Sequence, residues 1–287
     1  MPASREEVER LVEGLHKAGS VTDQRIRLRQ LAETQHPAAV PHVAHELTNP
    51  HELVRHTAAE NLVKMGKAAL PEIKKAVESE DGLVRASIAW ALGQKGDIDK
   101  EAVPLLLGLV NDKKWEVRQN AIGALGKHGD PRALPLIIKR IRKTENREVR
   151  TVAIRALGSF PHPRIIRLLN RPLRDKEKDI RWGACTALAR IGGPAVLPGL
   201  TRALEDKENK VWTEAATSVY TVNKNLKGNE PKDEKARALF LVHPHLREND
   251  EPDVMRNAYL AALNGEVDKG NARLFVKQLR AVKGKLK

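Results

Sequence analysis

Five histidines, His36, His42, His45, His51 and His56, fall within 21 residues beside Glu46 and Glu52. Imidazole and carboxylate are metal ligands, so this is where metal chemistry would sit. Cys185 is the sole cysteine. It excludes a disulfide framework and fits a reducing compartment. No glycine-rich phosphate loop, Ser-His-Asp arrangement or cysteine-based metal spacing occurs. The chemistry that stands out is recognition by charge: 51 Lys and Arg face 37 Asp and Glu, a formal excess of +14. Such an excess favours contact with phosphate, nucleic acid or acidic protein surfaces. With 41% hydrophobic and 31% charged residues the chain is expected to fold around a core. The opening MPASREEVERLVEG has no apolar signal core, and no apolar run approaches about eighteen residues. A cytoplasmic protein without membrane insertion is the expectation.

The elements that position these residues recur. An aliphatic-Arg pair appears as Ile26-Arg27, Val54-Arg55, Val84-Arg85, Val117-Arg118, Val149-Arg150 and Ile180-Arg181, followed by Val211-Trp212 and Val254-Met255. A period near 31 residues means stacked units, none of which can bury its apolar face alone. Each unit reads as two helices, the second one Ala-rich, as in VRQNAIGALG, VRTVAIRALG and IRWGACTALA. Gly93, Gly126 and Gly158 suit left-handed helix ends, and Pro104 and Pro135 suit the first turn of the next helix.

The phrase formed by Asp112, Val117, Arg118, Ala121, Ala124, Leu125, Gly126, Gly129, Asp130, Pro131, Ala133, Pro135 and Leu136 resembles HEAT repeats, in the short phycobilisome-lyase-type form. The resemblance implies an all-α, right-handed α-solenoid of about seven to eight helix pairs with terminal capping helices. A cap helix is expected at 1–20, with Ser4 as N-cap three residues before Glu7, and regular repeats at 22–222. An insertion loop and helix should follow at 223–253, then a last repeat and a basic C-terminal helix at 254–287. The closing helix carries Phe275, Leu279 and Val282 on one face and Lys277, Arg280, Lys283, Lys285 and Lys287 elsewhere.

Within each repeat, counting the aliphatic anchor as zero, apolar residues hold positions 0, 4, 5 and 8, which leaves positions 2, 3 and 6 outward. The resemblance implies that second helices line a concave groove. Between Ala86 and Thr186 the outward strip has no carboxylate, while Lys95, Lys127, His128 and Arg190 lie at helix ends. The candidate partner-binding residues are therefore Trp90, Gln119, Asn120, Arg150, Arg155, Trp182 and Arg190. Trp115, Trp212 and Cys185 are expected to pack inside. The resemblance also implies a ladder in which each repeat arginine pairs with the acid of its preceding turn: Asp81 for Arg85, Asp112 for Arg118, Asp175 or Asp179 for Arg181. Arg150 has no Asp at that place. A second charge feature is local: fifteen Lys and Arg against five Asp and Glu between Lys139 and Arg190, much of it on first helices.

These features predict a non-enzymatic scaffold or adaptor whose basic, Trp-containing groove binds an acidic macromolecular partner, a protein in the first instance. No catalytic residue, cofactor or metal is expected. Nucleic-acid backbone binding is the alternative, on resemblance to HEAT-like alkylpurine DNA glycosylases, although the carboxylate of that family is missing from the central strip. An enzyme of the chromophore-lyase or hydroxylase kind is the third. Deoxyhypusine hydroxylase, also HEAT-type, holds iron with His-Glu pairs, whereas here His42, His45 and Glu46 fall on a first helix, His51 near a turn, and His56 is followed by Thr57.

Overall fold

Helices form where the apolar stripes demand them. The computed structural model describes residues 4–94, 98–225 and 234–284, and among these there is no strand. Lys95, Lys285, Lys287, the side chain of Lys283 and the 226–233 part of the insertion lie outside the described residues. The chain divides into two units, Met1–Ala156 and Leu157–Lys287.

The first unit holds five helix pairs: α1 (Arg5–His16) with α2 (Val21–Glu33), α3 (Val40–His45) with α4 (Glu52–Lys64), α5 (Leu70–Glu78) with α6 (Gly82–Ala91), α7 (Asp99–Leu109) with α8 (Trp115–His128), and α9 (Leu134–Arg140) with α10 (Arg147–Ala156). The second holds α11 (Pro163–Leu169) with α12 (Lys178–Ile191), α13 (Leu197–Ala203) with α14 (Asn209–Asn225), α15 (Glu234–Val242) with α16 (Pro252–Leu263), and a closing helix α17 (Ala272–Gly284). In each unit consecutive second helices pack side by side: α2, α4, α6, α8 and α10 in the first, α12, α14 and α16 in the second. The expected cap helix α1 starts at Ser4, whose hydroxyl accepts from the Glu7 amide at 3.2 Å. It packs on α2 as the first member of a pair.

The core is the 0, 4, 5, 8 register. Val54, Ala58, Ala59 and Leu62 in α4, Val117, Ala121, Ile122 and Leu125 in α8, and Ile180, Ala184, Cys185 and Leu188 in α12 are all buried. One anchor was misplaced. Ile26 is 46% exposed, because the buried stripe of α2 runs through Leu28, Leu31 and Ala32. Arg27 instead faces Asp23 one turn back, at 3.6 Å.

The glycines also serve a different purpose from the one expected. Gly93, Gly126 and Gly158 are not left-handed; that role falls to Gly129, which caps α8 at φ +69. A Cβ at Gly93 would stand 2.8 Å from Ala124 Cβ, at Gly126 2.7 Å from Ala156 Cβ, and at Gly158 2.9 Å from Ala187 Cα. These positions let one repeat touch the next, so any side chain there would push neighbouring helices apart. Pro135 lies in the first turn of α9, as expected, but Pro104 lies inside α7, which starts five residues earlier at Asp99.

Repeats are tied along their turns by arginine. In the first unit Arg85 donates from Nη1 to the carbonyls of Ser79 and Glu80, at 2.6 and 2.9 Å, and from Nε and Nη2 to both oxygens of Asp112, at 2.7 and 2.9 Å. Arg118 repeats this with the carbonyls of Asp112 and Lys113 and with Glu145, at 2.6 Å. In the second unit Arg181 binds the carbonyls of Asp175 and Lys176 and both oxygens of Asp206. Arg55 holds the carbonyls of Asn49 and Pro50, both at 2.8 Å.

The acid therefore comes from the next repeat's turn and not from the preceding one. The physical reason is that the preceding turn offers its arginine two carbonyls, while its own acid accepts from an amide two residues further on. Asp81 accepts from the Leu83 amide at 2.8 Å, and Asp112 from the Lys114 amide at 2.8 Å. Burial alone would raise the carboxyls of Asp112, Glu145 and Asp206. The guanidiniums of Arg85, Arg118 and Arg181 and the turn amides these carboxylates accept from outweigh it and hold all three below the usual carboxylate range. At the far end Arg280 of α17 grips Asp250 and the His245 carbonyl.

Four outcomes follow from these contacts. Gly126→Ala should lose about 1–3 kcal/mol in urea unfolding. Gly108→Ala, in α7 with nothing within 4 Å of the added carbon, should gain up to about 1 kcal/mol. The ladder carboxyls are depressed in the folded state, so their contribution is complete above the unfolded carboxylate pKa of about 4 and is lost as pH falls through their folded values. Urea midpoints should fall modestly between about pH 7 and about pH 5, where burial favours the neutral forms of His56 and His243 in the folded state, and drop further below about pH 4 as the ladder carboxyls protonate. Asp206→Ala leaves the buried Arg181 without its carboxylate. It should cost about 3 kcal/mol near neutrality and flatten the acid side of that profile.

Candidate functional site

The second helices present what is left after the core and the ladder are built. Position 6 faces outward as expected and position 2 does so except at Ala86, which is buried; position 3 does so only in part. Thr57, Ser87 and Gly183 are buried, because position 3 points at the adjoining second helix. There the Thr57 hydroxyl accepts from Arg25 Nε at 2.9 Å, and Asn120 Nδ2 donates to the Ala86 carbonyl at 2.9 Å. Asn120 is thus a tie between α8 and α6.

In the first unit Trp90 is half-buried, its ring stacked on His56 with centroids 4.8 Å apart and planes 18° off parallel. Burial lowers the pKa of His56, against the pull of Glu52, so the ring is held toward its neutral form. Gln119 is half-exposed and Arg155 exposed, whereas Arg150 is buried at 8% exposure with the ladder arginines. Arg150 is therefore corrected: its side chain does not lie on a surface open to a partner. His56 and Trp90 are brought together, and Asn120 lies beside the backbone of α6.

In the second unit Trp182 is half-buried. Its Nε1 donates to Glu214 Oε2 at 3.3 Å, and Lys210 Nζ lies 3.7 Å from the ring centroid. The ring face carries a cation, as the quadrupole of an indole favours. Arg190 is exposed at the end of α12. Glu214 places a carboxylate beside Trp182 that position 6 and position 2 counting did not pair with it, since the two lie on successive repeats.

The remaining tryptophans divide. Trp212 is packed, with Nε1 on Asn209 at 3.1 Å and the Arg256 guanidinium 4.7 Å from the ring centroid. Trp115 is 37% exposed, against expectation, because it is the first residue of α8 and precedes the buried register. Cys185 is buried, and burial pushes its thiol far above the usual range, which suits a core residue and not a nucleophile. His42, His45 and His51 are exposed, while His36 accepts the Ala38 amide at its own turn. Among the described residues no three or more His, Cys, Asp or Glu side chains converge as a metal site would require.

The exposed cations gather on first helices and the turns after them. Lys139, Arg142 and Lys143 do so in the first unit, and Arg164, Arg167, Arg171 and Arg174 in the second. No helix among the described residues is long and apolar enough to cross a membrane.

Comparison with known proteins agrees with the repeat. The model of the family described as HEAT repeats matches residues 8–93, 70–157 and 135–220. Deoxyhypusine hydroxylase of Bos taurus is 35% identical over 74 residues, which are 25% of this chain and 24% of that protein. The match thus spans about a quarter of that relative's length. Among solved structures, an engineered protein aligns over 94% of this chain and 82% of its own, at 21% identity and a TM-score of 0.52. The E. coli protein YibA aligns over 92% of this chain and 98% of its own, at 18% identity and a TM-score of 0.52. At these identities the two structures speak for the fold. The three overlapping family matches, together with helix pairs stacked at the same period, show that this chain belongs to the HEAT-repeat family.

Proposed function

We propose that this chain is a non-enzymatic HEAT-repeat scaffold that binds an acidic protein through the outward faces of its second helices. The observation that carries this reading is that each unit has a half-buried tryptophan on those faces, Trp90 in the first and Trp182 in the second, and an exposed arginine on a second helix, Arg155 in the first and Arg190 in the second. A half-buried indole, with an apolar body and a polar N–H edge, suits the centre of an interface. Gln119 adds a polar contact. An acidic partner satisfies the charge excess, which would speed its approach.

Two other readings have their own support. Net charge suits a nucleic-acid backbone equally well in kind. The name of the Bos taurus relative supports a hydroxylase reading, but the histidines here are dispersed over separate elements, and so this reading ranks lower.

The test is fluorescence anisotropy with a labelled glutamate-rich peptide and a labelled DNA duplex, at about 50 and about 150 mM salt. The peptide should bind, more weakly at the higher salt. Trp182→Ala and Arg155→Ala should each weaken binding about fivefold or more, with the helical circular-dichroism signal unchanged. Wild-type affinity in both variants would contradict this use of the second helices.

A further inference from the structure

Four arginines in the second unit do nothing for the fold. Arg164 and Arg167 belong to α11, Arg171 follows it, and Arg174 ends the 3-10 turn Pro172–Arg174. The apolar residues of the same stretch, Ile165, Leu169 and Leu173, are buried. The arginines occupy the opposite side, and all four are exposed. Their separations are three, four and three residues, so on a helical path they form one row about 15 Å long, with steps of about 4.5–6 Å.

The row has no internal counter-charge. From Leu157 to Arg174 the sequence contains no Asp or Glu. The acids just beyond already have partners: Glu177 lies 3.8 Å from Lys176, Asp179 3.5 Å from Lys210, and Asp206 holds Arg181. The Asp175 carboxylate accepts from the Glu177 amide at 3.1 Å. Among the described residues, none of the four guanidiniums forms an ion pair or a hydrogen bond. Four like charges held in line repel one another, and folding gives nothing in return.

The geometry points to this row as the seat of an acidic helix of a protein partner, one whose carboxylates recur at three- and four-residue spacing. Such a helix repeats at the same interval as the row, so all four pairs can form at once without bending either side. Every member is Arg and none is Lys, and only guanidinium offers a planar fork to both oxygens of a carboxylate. A single-stranded nucleic acid would be held by aromatic stacking as well as charge. The aromatic residue of this stretch, Phe160, is buried at 7% exposure. The inference rests on the acidic-partner reading above but not on the second-helix faces, from which the row is separate in sequence and in element.

The experiment titrates the full chain with three labelled probes: a helical peptide with glutamates at three- and four-residue spacing (the seam peptide), its scrambled isomer, and a DNA duplex of equal charge. The proteins compared are wild type, the quadruple Arg→Gln variant at 164, 167, 171 and 174, the quadruple Arg→Lys variant, and Trp182→Ala. Wild type should bind the seam peptide at least about fivefold more tightly than the scramble. The Gln variant should lose about tenfold or more, and the Lys variant an intermediate amount. Circular dichroism should be the same for all, since no side chain in the row is buried. Binding of neither peptide by wild type would overturn the acidic-protein reading and this inference together. Seam-peptide binding that survives in the Gln variant but falls in Trp182→Ala would overturn the row and leave the second-helix faces standing. Duplex binding tighter than the seam peptide, and lost in the Gln variant, would show that the row holds phosphates and overturn the protein occupant.

Discussion

Stacked repeats have no sheet to register them and no disulfide to lock them, so every join must be set by side chains. Here the join is a guanidinium. Arg85, Arg118 and Arg181 each close their own turn through two carbonyls and then cross to the acid of the next turn, so a single residue fixes both the shape of a turn and its distance from its neighbour. The desolvation cost of a buried ion pair is offset only when its other protons and lone pairs are also used. Arg85 and Arg181 meet that condition with four hydrogen bonds each. Close glycine contacts at Gly93, Gly126 and Gly158 depend on this spacing, since helices held farther apart would leave a gap where no side chain exists to fill it.

The apolar register was legible in the sequence because it is a local property: a stripe at 0, 4, 5 and 8 has one way to be buried on a helix. The ladder was legible in its residues but not in its direction. Asp112 stands five residues before Val117, and sequence distance favoured pairing it with Arg118, whereas its carboxylate crosses 27 residues back to Arg85. Only the stacking geometry decides between the two. Glycine misled for a related reason. After an Ala-rich helix it reads as a cap, yet Gly126 answers to Ala156, thirty residues away, and the cap is Gly129. Position 3 was read as outward because a single helix has one buried stripe; in an array it has a second, toward its neighbour, and Thr57 and Asn120 lie on it.

Once the ladder is assigned, the charge excess divides into two populations with different chemistry. Arg55, Arg85 and Arg181 are buried parts of the architecture, and Arg150 is buried with them. The exposed cations are concentrated on first helices, with Arg155 and Arg190 on second ones. Reading net charge as a binding surface without this division would place Arg150 in a groove where it is not presented. The tryptophans show the same division: Trp212 belongs to the packing, while Trp90 and Trp182 are half-buried on faces that consecutive second helices share.

The stacking of the repeats rests on a ladder that is structural and desolvated. The most direct measurement is a double-mutant cycle on Arg85 and Asp112, with each residue changed to Ala alone and together, read by urea unfolding at about 0.1 and about 1 M salt. A coupling of about 2 kcal/mol or more that persists at the higher salt is the predicted result, as expected for a pair withdrawn from solvent. A coupling below about 0.5 kcal/mol, or one abolished by salt, would place the pair with ordinary surface charges and contradict the account.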